Sequence, residues 1–252
     1  MPASVNYHCI AYADLEVCNP LYMATVDAAA TRTGLRPGAR ALDIGTGNGA
    51  IAVRLAEAFG LDVTAVELDP AMADIARGRI SASPAADRVT LRQAASGAVL
   101  AELAALDLIV ATGTTDPAGD GQLEPAAIFS ALSRHLKPGG WLMWGDLIWN
   151  AEPPVPVRQI FELTNRYTTD ADTRTDARAA GFEVVSADIS PRSAMDYYIG
   201  GADRAARAWL ADNPDAPEAA AVRTSADRVK IMFDFGGDYV DFGLYLLRKP
   251  PI

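Results

Sequence analysis

Cysteine and histidine are nearly absent: the 252 residues include two of each. Two cysteines, Cys9 and Cys18, cannot make a disulfide framework, and no Cys/His cluster suggests a zinc site, so no metal is expected. Nor does any apolar run approach the ~20 residues that a membrane span requires. Basic charge is also short, with 22 Lys+Arg against 32 Asp+Glu and a formal net charge of −10. That balance argues against a nucleic-acid surface, which needs clustered Lys and Arg. The one short basic cluster, Arg134 and Lys137, reads as a helix C-terminus. Residues Met1–Tyr7 show no basic stretch leading into an apolar core, so no export signal is expected and the cytoplasm is the expected location. What remains is half hydrophobic and 21% charged, an ordinary globular composition long enough for one large domain or two small ones.

From Arg40 to Trp149 short apolar runs alternate with helical patterns. Arg40–Ile44 reads as a buried strand stopped by glycines. Ile51, Leu55 and Phe59 at four-residue spacing, followed by Gly60, predict a helix with a glycine end. Asp62–Glu67 reads as the next strand, and Asp69-Pro70 as an N-cap with proline at the first helical position. Met72, Ile75, Ala76 and Ile80 would be that helix's buried stripe. Strands are also expected at Arg88–Arg92, Leu106–Ala111 and Trp141–Asp146, with a helix over Pro125–Leu136 and a turn at Lys137–Gly140. This pitch predicts right-handed βαβ units, a parallel sheet and helices on both faces. Beyond Trp149 the rhythm breaks at the proline-rich stretch Ala151–Pro156. Strands are expected at Phe182–Ile189 and Tyr239–Leu247. The mainly helical run Ser190–Gly237 between them is too long for a plain connection and is expected to cover a site.

The chemistry is carried by Asp43-Ile-Gly45-Thr-Gly47-Asn-Gly49, between the first strand and its helix. The chain must turn sharply there, and its backbone must approach a ligand with no Cβ in the way. Glu67 ends the second strand about 20 residues after the first glycine, where a carboxylate can accept both hydroxyls of a bound ribose. A dinucleotide-binding dehydrogenase is the competing reading, but the spacing is not Gly-x-Gly-x-x-Gly and Asp43 is not required by that fingerprint.

Ala41–Gly49, Val63–Pro70, Leu106–Gly113 and Leu136–Leu142 together resemble the successive motifs of class I S-adenosylmethionine-dependent methyltransferases. The final run Val240–Lys249 is similar to the closing antiparallel strand of that fold. Gly145–Trp149 with Pro153-Pro154, Asp196–Tyr198, Trp209-Leu210 and Asn213-Pro214 are similar to a bacterial small-molecule branch. The resemblance implies an α/β, Rossmann-like, seven-stranded, mostly parallel sheet with helices on both faces and a helical cap insertion. One domain is expected: an N-terminal lid segment (1–36), a cofactor-binding core (37–150), cap segments (151–178 and 190–237) and a closing strand (238–252). S-adenosylmethionine would be the cofactor. Gly45, Thr46, Gly47 and Gly49 would line its methionine and ribose part, Asp43 would hold the amino-acid end, and Glu67 the ribose hydroxyls. Leu68 would pack on adenine, and Ala111 and Thr112 would lie under the methionine portion. Two departures stand out. Arg92–Ser96 offers no acid for the adenine amino group, leaving backbone groups near Ala95 or the Ser96 hydroxyl. Asp116 stands where the related branch is expected to carry His.

Several residues have two readings each. Asp146 ends the fifth strand at the ligand-binding edge of an open sheet, as a substrate group or as a cap or ion-pair partner. Trp149 is a pocket wall or a core cover. One of Tyr197 and Tyr198, which open the insertion, is expected to face the site. Tyr12, Asn19 and Tyr22 belong to a segment that in related enzymes folds over the cofactor, and are lid contacts or plain packing. His135 reads as a helix-end residue, while His8 keeps a weaker site role. Cys9 and Cys18 read as buried small hydrophobes. Asp116 or Asp146 would serve as base or anchor for an acceptor, and the acidic and aromatic residues favour a substrate with a cationic nitrogen. The expected activity is methyl transfer to nitrogen or oxygen of a small molecule by in-line displacement, in a monomer or homodimer. One alternative is a cyclase that forms azetidine-2-carboxylate and releases methylthioadenosine. Another is a non-catalytic scaffold of the same fold.

Overall fold

The computed structural model describes residues 5–163 and 165–251. The chain alternates strand and helix as far as β5. In order come α1 (Tyr7–Ala11), α2 (Met23–Thr33), β1 (Arg40–Ile44), α3 (Ala50–Phe59), β2 (Asp62–Glu67), α4 (Pro70–Ala82) and β3 (Val89–Gln93). Then follow α5 (Ser96–Leu100), β4 (Leu106–Thr112), α6 (Pro125–Ser133) and β5 (Leu136–Trp149). The C-terminal part holds α7 (Val155–Phe161), α8 (Asp170–Ala179), β6 (Glu183–Ile189), α9 (Arg192–Asp212), α10 (Ala219–Gly236) and β7 (Val240–Arg248). The seven strands form one sheet in the order β3-β2-β1-β4-β5-β7-β6. The first five are parallel, and β7 runs antiparallel between β5 and β6.

The sheet is buried on both faces. Every residue of β4 is buried; Leu108 and Val110 join the core under α2 and α3, while Ile109 and Ala111 join the core under α6 and α8. This two-residue alternation is the strand period expressed as two cores. Local signals set the helix ends. Asp69 accepts hydrogen bonds from the amides of Ala71 and Met72, with Pro70 opening α4, and Gly60 closes α3 in the left-handed conformation.

Four expectations are corrected. Lys137–Gly140 is not a free turn: β5 starts at Leu136, which pairs with Leu106, and Gly139 and Gly140 bond to Lys249 at the end of β7. The preceding helix stops at Ser133, and Ile75 is half-buried where a buried stripe residue was expected. Residues 170–178 of the expected cap belong to α8, which packs on α6 and β6 as a flank of the sheet, with Asp170 accepting the Tyr245 hydroxyl at 2.9 Å.

The cap proper is α9 with α10, and the N-terminal segment joins it. Tyr7 and Ala11 from α1 pack with Ala202 and Ala206 from α9 and Ala226 from α10. The chain passes from β1 outward through β2 and β3, then crosses back to β4 on the other side of β1. Open sheets bind ligands at such a reversal, beyond the carboxyl ends of the strands. Among the described residues no helix is long and apolar enough to cross a membrane.

Candidate active site

β1 ends at Ile44 and turns at Gly45 and Gly47, with φ of 67° and 57°. These left-handed angles favour glycine, and close packing adds a second requirement. A Cβ on Gly45 would strike the Thr114 side chain, and one on Gly47 would lie 3.1 Å from Cys18 Sγ. Thr114 in turn donates to the Ile44 carbonyl at 2.9 Å. The turn is therefore wedged between the β4 loop and the N-terminal segment. From beneath, Thr46 Oγ1 donates to Asp43 Oδ2 at 2.6 Å. Burial lifts the Asp43 carboxyl to about 6, against the opposing effect of that bond.

Glu67 faces the turn from the end of β2. One carboxylate oxygen accepts from the Gly47 amide at 2.9 Å, the other from the amides of Leu68 and Asp69 at 2.9 Å each. Burial raises its pKa, while those three backbone donors pull the other way.

Above this floor lies a cavity of about 960 Å³. Gly45, Gly47 and Glu67 form its base, with Leu68, Ala95 and Ser96 on the β3 side. Thr112 and Thr114 to Asp116 line the β4 side. The roof comes from the N-terminal segment, through Asn6, His8, Tyr12, Cys18 and Asn19, and from α9 through Tyr198. Three asparagines fasten that roof. Asn6 Nδ2 donates to Asp69 Oδ2 at 2.6 Å, and Asn48 Nδ2 to the carbonyls of Leu15 and Tyr12 at 2.8 and 3.3 Å. Asn19 Nδ2 donates to both Thr112 O and Thr112 Oγ1 at 3.1 Å, while its oxygen occupies the space a Cβ on Gly113 would need. Tyr198 donates to the Tyr12 hydroxyl at 2.8 Å, and the His8 ring stacks on Tyr12.

Most of the residues singled out in the sequence meet here. Gly45, Gly47, Glu67, Leu68, Ala95, Ser96, Thr112, Tyr12, Asn19, Asp116 and Tyr198 all line the cavity. Asp43, Thr46, Gly49 and Ala111 are buried behind it; Asp43 is 2% exposed and reaches the turn only through Thr46. Asp146, Trp149 and Tyr197 are not brought to the cavity. The Asp146 carboxylate is buried, accepts from the Leu147 amide at 2.8 Å and is pushed up to about 7 by burial. Trp149 is a core residue packed on Phe161, its Nε1 donating to Glu162 at 3.2 Å. Tyr197 is 45% exposed, because one helical step from Tyr198 turns a side chain by about 100°. Asp116 does line the site, but its Oδ1 accepts from the amides of Asp120 and Gly121, holding its own loop. Tyr22 lies outside, bonded to Ser193, and His135 bonds to the Leu103 carbonyl. Cys9 and Cys18 are half-buried instead of core: Cys9 caps α1, and Cys18 faces the cavity. The sequence reading missed Asn6, Met72 and Thr114 as lining residues. Asn6 carried a usable signal, as an N-cap residue directly before Tyr7. Among the described residues no group of three or more His, Cys, Asp or Glu is placed to hold a metal ion.

A seven-stranded sheet with β7 reversed, a glycine turn after β1 and a carboxylate at the end of β2 define the class I S-adenosylmethionine-dependent methyltransferase fold. Residues 41–140 match a family model described as a methyltransferase domain. A curated relative is the uncharacterized protein YjhP of Escherichia coli, 28% identical over 195 residues and 75% of each chain. Two solved structures share the whole fold, both S-adenosylmethionine-dependent methyltransferases in complex with S-adenosylhomocysteine. The one from Geobacter sulfurreducens has a TM-score of 0.83 at 24% identity, over 98% of this chain and 99% of that one. The one from Thiobacillus denitrificans has a TM-score of 0.83 at 21% identity, over 97% and 98%.

Proposed function

We propose that this chain binds S-adenosylmethionine in the cavity above Gly45, Gly47 and Glu67 and methylates a nitrogen or oxygen atom of a small molecule. The observation that carries the reading is the Glu67 carboxylate, held against the glycine turn by the Gly47 amide at 2.9 Å and open to the cavity. Of its four lone-pair sites three accept from those backbone amides, which leaves one, on Oε2, for a ribose hydroxyl. The donor set fits the rest of the cofactor too. Leu68, 68% exposed on the cavity's rim, offers an apolar face to adenine. Ser96 gives its proton to the Asp116 carbonyl at 3.2 Å, which leaves its lone pairs to accept from an amino group. This replaces the acid missing from Arg92–Ser96. Thr112 and Asn19 offer polar groups for the amino-acid end, and Asp43 acts through Thr46 as a positioning residue.

When bound, the cofactor supplies an electrophilic methyl group on a sulfonium. The chain's contribution is to orient the acceptor and exclude water, which the latched roof of Tyr12, Asn19 and Tyr198 is built to do. A cavity of about 960 Å³ is at the upper end of the ~300–1,000 Å³ typical of small-molecule sites, with room for cofactor and acceptor together. The net charge of −10 disfavours a nucleic acid as acceptor. We place the activity in the cytoplasm, in a monomer or homodimer.

Mass spectrometry of the nucleoside left after incubation with S-adenosylmethionine, with and without a pool of amines, phenols and acids, tests this. S-adenosylhomocysteine formed only with the pool supports methyl transfer. Methylthioadenosine formed without any acceptor overturns it in favour of a cyclase.

A further inference from the structure

The parts of the cavity contributed by the strand ends are matched to the cofactor, but the roof adds groups that this match leaves over. Tyr12 and Tyr198 come from α1's C-terminal end and from α9, and both line the cavity. Their hydroxyls are 2.8 Å apart and their rings stack at 5.7 Å between centroids. Two phenols carry two protons, and the bond between them uses one. Whichever way that bond points, the pair keeps one proton with no acceptor among the described residues. Such a part-buried donor is costly to leave unmade.

Charge sharpens the picture. Among the described residues, the charged side chains of the lining are the carboxylates Glu67, Asp69 and Asp116, with no Lys or Arg. His8 also lines the cavity, and its imidazole is neutral at pH 8. An anionic guest would enter a partly enclosed space with three like charges and no cationic Lys or Arg among the described lining residues, whereas an ammonium or an uncharged molecule would not meet that repulsion.

Resting on the methyltransferase reading above, we propose that the acceptor is an uncharged or cationic small molecule whose oxygen or nitrogen takes the spare proton of the Tyr12–Tyr198 pair. The pair is thus a specificity device for the acceptor, not part of the cofactor's own binding set. Burial raises both phenol pKa values, so the pair remains a donor throughout the neutral range.

The test uses the full chain loaded with S-adenosylhomocysteine at pH 8, and calorimetric binding of three matched probes: phenethylamine, phenethyl alcohol and phenylacetate. Failure of S-adenosylhomocysteine to bind in the first step would sink the cofactor reading itself. With the loaded protein, the amine and the alcohol should bind at least tenfold more tightly than the carboxylate. Tyr12→Phe and Tyr198→Phe should each weaken the alcohol about fivefold while leaving S-adenosylhomocysteine within twofold. Asp116→Asn keeps the loop's acceptor and should narrow the amine's advantage over phenylacetate, which Asp87→Asn, at a surface carboxylate outside the cavity lining, should not do. Phenylacetate binding as tightly as the others, no measurable binding of any probe, or tyrosine variants that weaken S-adenosylhomocysteine instead of the alcohol would overturn the proposal.

Discussion

At the scale of single residues, two carboxylates that look alike in the sequence have opposite environments. Glu67 accepts from three amides, which oppose the rise in pKa that burial causes, and faces the cavity. Asp146 has one amide and no cavity. Glu67→Gln puts an amide group where one acceptor oxygen stood, so either the Gly47 amide or a ribose hydroxyl loses its partner. We expect affinity for S-adenosylhomocysteine to fall by about 1–3 kcal/mol, read by calorimetry; an unchanged affinity would remove Glu67 from the site. Asp146 makes a different prediction. Its folded pKa, about 7, lies above the ordinary carboxylate value. Below about pH 4 the group is protonated in both states and costs nothing. As pH rises the unfolded chain ionises first, so stability is lost up to about pH 7 and is flat beyond. Asp146→Asn keeps the acceptor for Leu147 and removes the ionisation. The variant should match the native chain at pH 4 and exceed it at pH 8 by on the order of 2–4 kcal/mol in urea unfolding. Cofactor affinity should stay within twofold. A stability difference independent of pH would show that the carboxyl is ionised in the fold.

At the scale of elements, the N-terminal segment is tied to the core by side chains more than by backbone pairing. Asn6 both caps α1, accepting from the Cys9 amide at 3.0 Å, and reaches Asp69 at 2.6 Å. Asn6→Ala removes both contacts at a cost of about 1–2 kcal/mol. Because the loss is local, amide exchange should quicken over residues 7–11 while the protection of β1 and β4 is unchanged, and S-adenosylhomocysteine should dissociate faster. Equal acceleration across the sheet would mean that the segment is not a separable lid. Elements of this kind mark the limit of what the sequence shows. β1, α3, β2 and the start of α4 were legible because each boundary is local: a glycine in the left-handed region, or Asp69 followed by Pro70. The glycine turn and Glu67 were legible for the same reason. The start of β5 was not, since Lys137–Gly140 has the composition of a turn and is drawn into the sheet by Leu106 and Lys249, distant in sequence. α8 was read as cap because the proline-rich break before it hid a return to the sheet. The choice between Tyr197 and Tyr198 depends on the rotation of α9, which its packing against α1 and α10 decides.

At the scale of the molecule, the cavity joins parts that no single stretch of sequence contains. Its walls come from α1's segment, from the ends of β1, β2, β3 and β4, and from α9 beyond the sixth strand. A ligand that touches all of them binds only when they are assembled, so its binding energy adds to the stability of the whole fold. For a ligand at a hundred times its dissociation constant that addition is about 2.7 kcal/mol. In a chain of this size it corresponds to a rise in Tm of roughly 5–10 °C. S-adenosylhomocysteine at that excess should therefore shift a single calorimetric transition upward by this amount. Glu67→Gln should show a smaller shift at the same ligand concentration. Asn6→Ala, which leaves the floor of the site intact, should retain most of it. Two transitions, of which only one moves with ligand, would mean that the α9–α10 cap unfolds apart from the sheet. The cavity would then be a surface of the core alone, and Tyr198 would have no part in retaining what binds there.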